Sequence, residues 1–296
     1  MTKVAGPPGG RRMVRSGERT GQIRLPGALL LFLALLPLGG VSACGDGREV
    51  EVRLPALDVA PRTTFRVIEA PDGRAEFSGT RLGISSPADG ARLAVGDSLR
   101  VEFTLSGFAL GPPDPEGPER GVARAPEGRH IRLLVGDQRE VIVTDVTEPV
   151  YLRGLAPGTH HLRAVPVTEW FESVKVPGAF VHRIIQVGEG DPEPEARDGP
   201  VLTAIRPRGE YRGAAADSIL VDWHLAGVRL SEDGIRLRLT VEGLGRADLT
   251  RWVPYFLVGL PDGVHTIRLE LVDEEGRRLP GPLTRAERVI TVDRRG

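Results

Sequence analysis

The chain contains no asparagine, one cysteine and, past residue 43, one lysine. A lone cysteine, Cys44, excludes an internal disulfide, so each domain must be held by an apolar core of its own. Without asparagine, tight turns fall to Asp-Gly and Pro-Gly pairs. Asp72-Gly73, Asp89-Gly90, Asp233-Gly234 and Asp262-Gly263 suit that role. Arginine carries nearly all positive charge, as a GC-rich coding sequence favours, which makes Lys175 conspicuous. Catalytic signatures are missing too. There is no G-x-S-x-G, H-E-x-x-H or G-x-x-x-x-G-K-[ST], no G-x-G-x-x-G between a strand and a helix, and no EF-hand loop. No spacing nominates a Ser/His/Asp triad or a carboxylate pair, so an enzyme is the least expected class and no cofactor is expected.

A bilayer-spanning helix needs about 20 apolar residues. The run Ala28 to Leu36 is shorter and is flanked by Pro26, Gly27, Pro37, Gly39 and Gly40. Arg11, Arg12, Arg15, Arg19 and Arg24 precede it and small residues follow, which is the layout of a secretory signal whether translation starts at Met1 or Met13. Val41-Ser42-Ala43-Cys44 resembles the lipobox of bacterial lipoproteins. The resemblance implies cleavage before Cys44, diacylglycerol on its sulfur, and a mature protein tethered to a membrane in the bacterial cell envelope, facing the periplasm or the exterior. Removing residues 1–43 takes away six basic residues and Glu18, leaving 33 basic against 39 acidic, a net charge of −6. That balance argues against nucleic acid as a partner and offers no polybasic patch for lipid headgroups, so attachment rests on the acyl chains.

The chain repeats itself. DSLRVEFTLSGFAL (97–110) matches DSILVDWHLAGVRL (217–230), with Asp97/Asp217, Val101/Val221, Leu105/Leu225 and Gly107/Gly227 identical. Gly154 to Arg163 matches Gly259 to Arg268, and Arg183, Ile185 and Val187 match Arg288, Ile290 and Val292. The matches recur in order at a domain-sized period. Within them apolar residues alternate. Leu99, Val101, Phe103 and Leu105 share one face, and Ile219, Val221, Trp223 and Leu225 alternate with Leu220, Asp222 and His224. Period two marks strands with one buried face, and closely spaced Gly and Pro suit short antiparallel strands.

The expected fold is all-β: two tandem immunoglobulin-like or fibronectin-type antiparallel sandwiches behind a cleaved signal peptide and a tether. The signal peptide is 1–43. The lipidated tether is 44–79, with Glu49 to Leu54 a candidate edge strand. The first sandwich is 80–188, an acidic proline-rich linker is 189–199, and the second sandwich is 200–293. Gly111 to Gly128, rich in Gly, Pro and charge, is an insertion in the first copy only.

Gly158 to Val187, together with RPRGEY, LTRWVPYFLVGLPDG and LPGPLTRAERVITV of the second unit, resembles a family of bacterial, mainly Bacteroidetes-type, lipoproteins labelled phosphopeptide-binding or hypothetical. The resemblance covers residues 80 to 293. It implies a histidine-rich strand in which His130 matches the first histidine and Arg132 replaces the second. It also implies a loop matched by Trp170, Glu172, Ser173 and Lys175, with Phe171 in place of its histidine. Those departures undermine a metal site and leave an anion site.

Arg132, Trp170, Glu172, Ser173 and Lys175 are thus the candidate ligand-binding residues, with Arg129 and Arg163 as further cations. The bland alternative for Lys175 is a solvated loop lysine beside Glu172. Trp170 and Trp252 either stack on a ligand or plug a sandwich end. A zinc or copper site could draw on His130, His161 and His182, but adjacent His160 and His161 point to opposite strand faces. His160 and His265 occupy equivalent repeat positions after a turn and read as structural. The leading function is a non-enzymatic binding module for a protein, peptide or glycan. The alternatives are a scaffold subunit of an envelope complex and a periplasmic metal carrier.

Overall fold

A computed structural model describes residues 65–70, 74–113, 115, 123–136, 139–191 and 199–295. The signal segment, Cys44 and the candidate strand at Glu49 to Leu54 lie outside the described residues, as do residues 114 and 116–122 of the insertion and 192–198 of the linker. None of the described helices is long and apolar enough to cross a membrane.

The described chain is almost wholly β. Its strands are β1 (Arg66–Glu69), β2 (Arg81–Ser86), β3 (Ala91–Leu93), β4 (Leu99–Ser106), β5 (His130–Val135), β6 (Arg139–Val143), β7 (Val150–Leu152), β8 (Gly158–Val167) and β9 (Val181–Val187), followed by β10 (Val201–Arg206), β11 (Gly209–Arg212), β12 (Ser218–Ala226), β13 (Arg236–Val241), β14 (Gly245–Leu249), β15 (Tyr255–Val258), β16 (Gly263–Val272) and β17 (Arg285–Asp293). In the first sandwich a sheet ordered β2-β4-β7 faces one ordered β3-β9-β8-β5-β6. In the second, β1-β15-β12-β10 faces β11-β17-β16-β13-β14. Between each pair of sheets lies a separate core. Val101, Phe103, Ile131, Leu133, Leu162 and Ile185 fill the first; Val221, Trp223, Leu237, Leu239, Leu269 and Ile290 fill the second. Each such side chain contributes about 1.5–3 kcal/mol by leaving water.

The duplication read from the sequence is strand for strand, β2–β9 onto β10–β17. Pairings are antiparallel except two short parallel ones, β3 with β9 and β11 with β17, which occupy equivalent places. Both copies shift register just before a cis proline, at Ile84/Ser86 ahead of Pro87 and at Ala204/Arg206 ahead of Pro207. The repeated arginines serve the repeated bulge: Arg183 donates to the Ile84 carbonyl at 3.3 Å and Arg288 to the Ala204 carbonyl at 3.4 Å. The repeated histidines also match. His160 Nε2 donates to the Ala156 carbonyl and His265 Nε2 to the Pro261 carbonyl, both at 2.7 Å, and each histidine sits opposite the equivalent isoleucine, Ile185 or Ile290. The structural role read from their equivalence is what the hydrogen bonds show.

One element departs from the expected tether. Phe65 is buried in the second core, and β1 adds to the edge of β15, with Glu69 held by Arg251 and by the Tyr255 hydroxyl. Residues 65–70 are therefore part of the second sandwich. They join the second sandwich although they precede the first one in the sequence.

Candidate functional site at the junction of the two sandwiches

Period two predicts that each repeated strand buries one face. Several bury both. All six residues of β5 are buried, as are the last six of β8 and most of β12. The reason is that the outer face of the β5-β8-β9 sheet lies on the outer face of β10 and β12. Leu134, Val165 and Val167 of the first sandwich pack with Ile205 of the second, and Phe171 and Phe180 border them. Arginines on that face stitch the two backbones together. Arg163 donates to the Leu202 carbonyl at 3.1 Å and Arg132 to the Ile205 carbonyl at 3.3 Å.

The segment after β8 makes the strongest polar contact. A turn at Thr168 to Phe171 reverses the chain, with the Phe171 amide donating to the Thr168 carbonyl at 3.0 Å, and sends Ser173 and Lys175 onto β12. The Ser173 amide donates to Asp222 Oδ2 at 2.8 Å, and Ser173 Oγ reaches the Trp223 carbonyl at 3.2 Å. The Lys175 ammonium pairs with Asp222 Oδ1 and donates to Ser173 Oγ at 2.9 Å. The side chains of Lys175 and Asp222 are only 2% and 0% exposed. Lys175 Nζ thus donates to both Asp222 Oδ1 and Ser173 Oγ, and the trio works as a clasp between the sandwiches.

The candidate residues are thereby relocated. Arg132, Trp170, Ser173 and Lys175 are each 5% exposed or less, and Glu172 is half-buried. The candidate ligand-binding residues thus lie inside the junction and not on an exposed loop: an apolar sheet face and one buried carboxylate draw the loop onto the second sandwich. Lys175 is also not a solvated loop lysine. Arg129 lies elsewhere, near Glu76 and Glu169, and forms no shared patch with Lys175. The histidine set is likewise not assembled. His130 Nδ1 donates to the Gly128 carbonyl at 2.7 Å, and its Nε2 accepts from Arg132 at 3.4 Å, so both nitrogens are used. His161 and His182 stack on each other, with Nδ1 and Nε2 3.0 Å apart. Burial, reinforced by His161 and Arg163, pushes His182 down to about 4. Among the described residues no group of three His, Cys, Asp or Glu side chains converges to hold a metal.

Two hollows open at opposite ends of β12. The larger, about 690 Å³, runs past Phe180, His224, Arg229, Thr250, Arg251 and Trp252, with walls from both sandwiches. Its floor is an aromatic stack. Phe180 lies parallel to His224 at 4.6 Å between centroids, and Trp252 meets His224 edge-on at 4.8 Å. Trp252 packs on the second core and donates Nε1–H to the Trp223 carbonyl at 3.3 Å, so it serves core and groove together. Burial, reinforced by the charge of Lys175 and opposed by the Val176 carbonyl, pushes His224 down to about 3. A neutral imidazole can therefore stack within an apolar ladder at any physiological pH.

The smaller hollow, about 370 Å³, lies between Trp170 and Phe171 of the first sandwich and Arg206, Arg208, Tyr211 and Ser218 of the second. Asp222, His224, Glu140, Arg206 and Arg208 were not legible as site residues. Asp222 and His224 fall on the strand face that alternation assigns to solvent, and the arginines resemble many others in the chain. The one available signal was the lone lysine.

No family model and no curated protein matches the chain. Among solved structures it is similar to the fibronectin(III)-like modules of Clostridium thermocellum CbhA, at 16% identity over 72% of this chain and 95% of that one, with a TM-score of 0.25. It is similar to a Bacteroides ovatus protein of a mixed-linkage glucan utilisation locus, SGBP-B, solved with a mixed-linkage heptasaccharide, at 16% identity over 71% of this chain and 47% of that one, with a TM-score of 0.20. A central fibronectin-III array of RIM-binding protein gives 12% identity over 70% and 58%, with a TM-score of 0.20. These are likenesses of fold alone.

Proposed function

We propose that the protein is a lipid-anchored, extracytoplasmic binding module without catalytic activity, whose ligand is a protein, peptide or glycan segment held in the larger inter-sandwich groove. The observation that carries this reading is the groove of about 690 Å³ shared by both sandwiches, with aromatic and arginine side chains along it. Hollows of that size lined by a few aromatic and polar groups are the usual form of ligand sites. Trp252 and Phe180 offer flat apolar surface for a sugar ring or an aromatic side chain, while Arg229 and Arg251 offer charge at the rim. The clasp fixes the walls in advance, which lowers the ordering cost of binding. The leader ending at Cys44 supports the anchor.

Two experiments test it. Radiolabelled palmitate should enter the full chain in bacteria and be lost in Cys44→Ala. Glycan and peptide arrays probed with the detergent-solubilised full chain should yield a binder whose affinity falls at least about tenfold, near 1.4 kcal/mol, in Trp252→Ala. A binder indifferent to Trp252 would overturn the groove assignment.

A further inference from the structure

The smaller hollow carries a charge imbalance that the fold does not require. Arg132 of β5 and Arg208, just past β10, share one carboxylate: they reach Glu140 at 2.7 and 2.8 Å. Arg206, at the end of β10, stacks its guanidinium 3.6 Å from the centre of the Phe171 ring, and Arg132 lies 5.6 Å from the same ring. The Arg208 amide donates to the Tyr211 hydroxyl at 3.1 Å, and the Arg206 charge acts on the same hydroxyl. Among the described residues no carboxylate lies within ion-pair distance of Arg206, and Glu210, on the rim, is paired with Arg212 at 2.9 Å. Three guanidiniums, Arg132 buried and Arg206 and Arg208 partly so, therefore cluster around Glu140, with Asp222 the next carboxylate acting on Arg132 and already paired with Lys175. Burial, and repulsion from Arg206 and Arg208, lower Arg132 to about 10. The Nε–H groups of Arg206 and Arg208 are buried and lack a hydrogen-bond acceptor.

The backbone adds an independent observation. Phe171 is the one described non-glycine residue with positive φ, 64°. Strain of this kind clusters at ligand sites. Here it holds the ring between Arg132 and Arg206, fixing both forks. The rest of the hollow is small and apolar, with Ala214, Ala215 and Leu220 lining it.

We propose that this hollow is a second ligand site, distinct from the groove, that takes a small carboxylic acid with an apolar body. The carboxylate is received by Arg206 and Arg208, with the Tyr211 hydroxyl beside them. A planar fork suits a carboxylate better than an ammonium would, and about 370 Å³ accommodates a ring-sized body.

The test is calorimetric titration of the full chain in detergent with benzoate, with the neutral isostere benzamide, and with inorganic phosphate. The expected result is saturable benzoate binding that weakens with salt, falls at least tenfold in Arg206→Gln, and is partly retained in Arg206→Lys. Benzamide and phosphate should bind at least tenfold more weakly. Circular dichroism and thermal melting establish that each variant is folded. Should Arg206→Gln fail to fold, Ala215→Leu, which fills the hollow without touching the arginines, must abolish binding instead. Absence of benzoate binding to the folded wild type, equal binding of benzamide, or tighter binding of phosphate would overturn the proposal.

Discussion

The Lys175 ammonium of the first sandwich meets the Asp222 carboxylate of the second in a contact almost closed to water. Desolvating two charges costs several kcal/mol per ion, so such a pair adds little net stability yet is severe to break. Removing one partner leaves the other buried and unpaired. Lys175→Met or Asp222→Leu alone should destabilise by about 3–5 kcal/mol, whereas the double variant should recover most of that loss. Urea denaturation of the two single variants, the double variant and the parent measures the coupling directly.

His224 gives the fold a pH dependence of known sign. Its pKa is lowered from 6.5 to about 3, first by burial and then by Lys175. Above pH 6.5 both folded and unfolded chains carry it neutral and it adds nothing. Below that, the unfolded chain binds a proton that the folded chain refuses. Stability therefore falls as pH drops from about 6.5 toward about 3, by up to about 1.4 kcal/mol per pH unit. Denaturation midpoints of the parent and of His224→Phe between pH 7.5 and 4.5 should differ in slope by about one proton. Equal slopes would exclude His224 as the source.

Gly107 and Gly227 are repeat equivalents with unequal tolerances. Both have positive φ, 69° and 72°. A Cβ at Gly107 would come within 2.4 Å of the Gly79 carbonyl oxygen, against 3.3 Å from Gly199 oxygen at Gly227. Both alanine substitutions should cost about 1 kcal/mol for backbone conformation, with Gly107→Ala costing about 1–2 kcal/mol more for the clash. Thermal melts read the order of the two variants.

Phe65 tests whether β1, which precedes the first sandwich in the chain, belongs to the second. It is 3% exposed, in the second core. Phe65→Ala should cost about 3–5 kcal/mol and open the β15 edge to hydrogen exchange while sparing β7. A change below about 1 kcal/mol would mean that β1 is not held there.

The repeat made much of this fold legible. Alternation in 99–105 and 219–225 located β4 and β12, and the matched His160 and His265 pointed to a shared turn, because a duplicated backbone needs the same hydrogen bond twice. What alternation cannot show is a second burial. A polar residue on the outer face of a strand reads as solvated, and nothing local separates Asp222 from Glu102, which stays partly exposed at the equivalent stretch of β4. Lys175 stands out in the sequence because its ammonium breaks the arginine bias, but its partner lies 47 residues along the chain. β1 was hidden for another reason. Four residues between prolines in a tether-like segment carry too little pattern to distinguish a strand from a linker.

Hydrogen exchange at the Ser173 amide tests most directly whether the sandwiches form one body through this clasp. That N–H belongs to the first sandwich and donates to Asp222 of the second at 2.8 Å. In the full chain at neutral pH it should exchange at least about a hundredfold more slowly than an unprotected amide, and lose that protection in Asp222→Leu. Exchange near the free-peptide rate in the parent would mean that the loop is open and the sandwiches are unclasped.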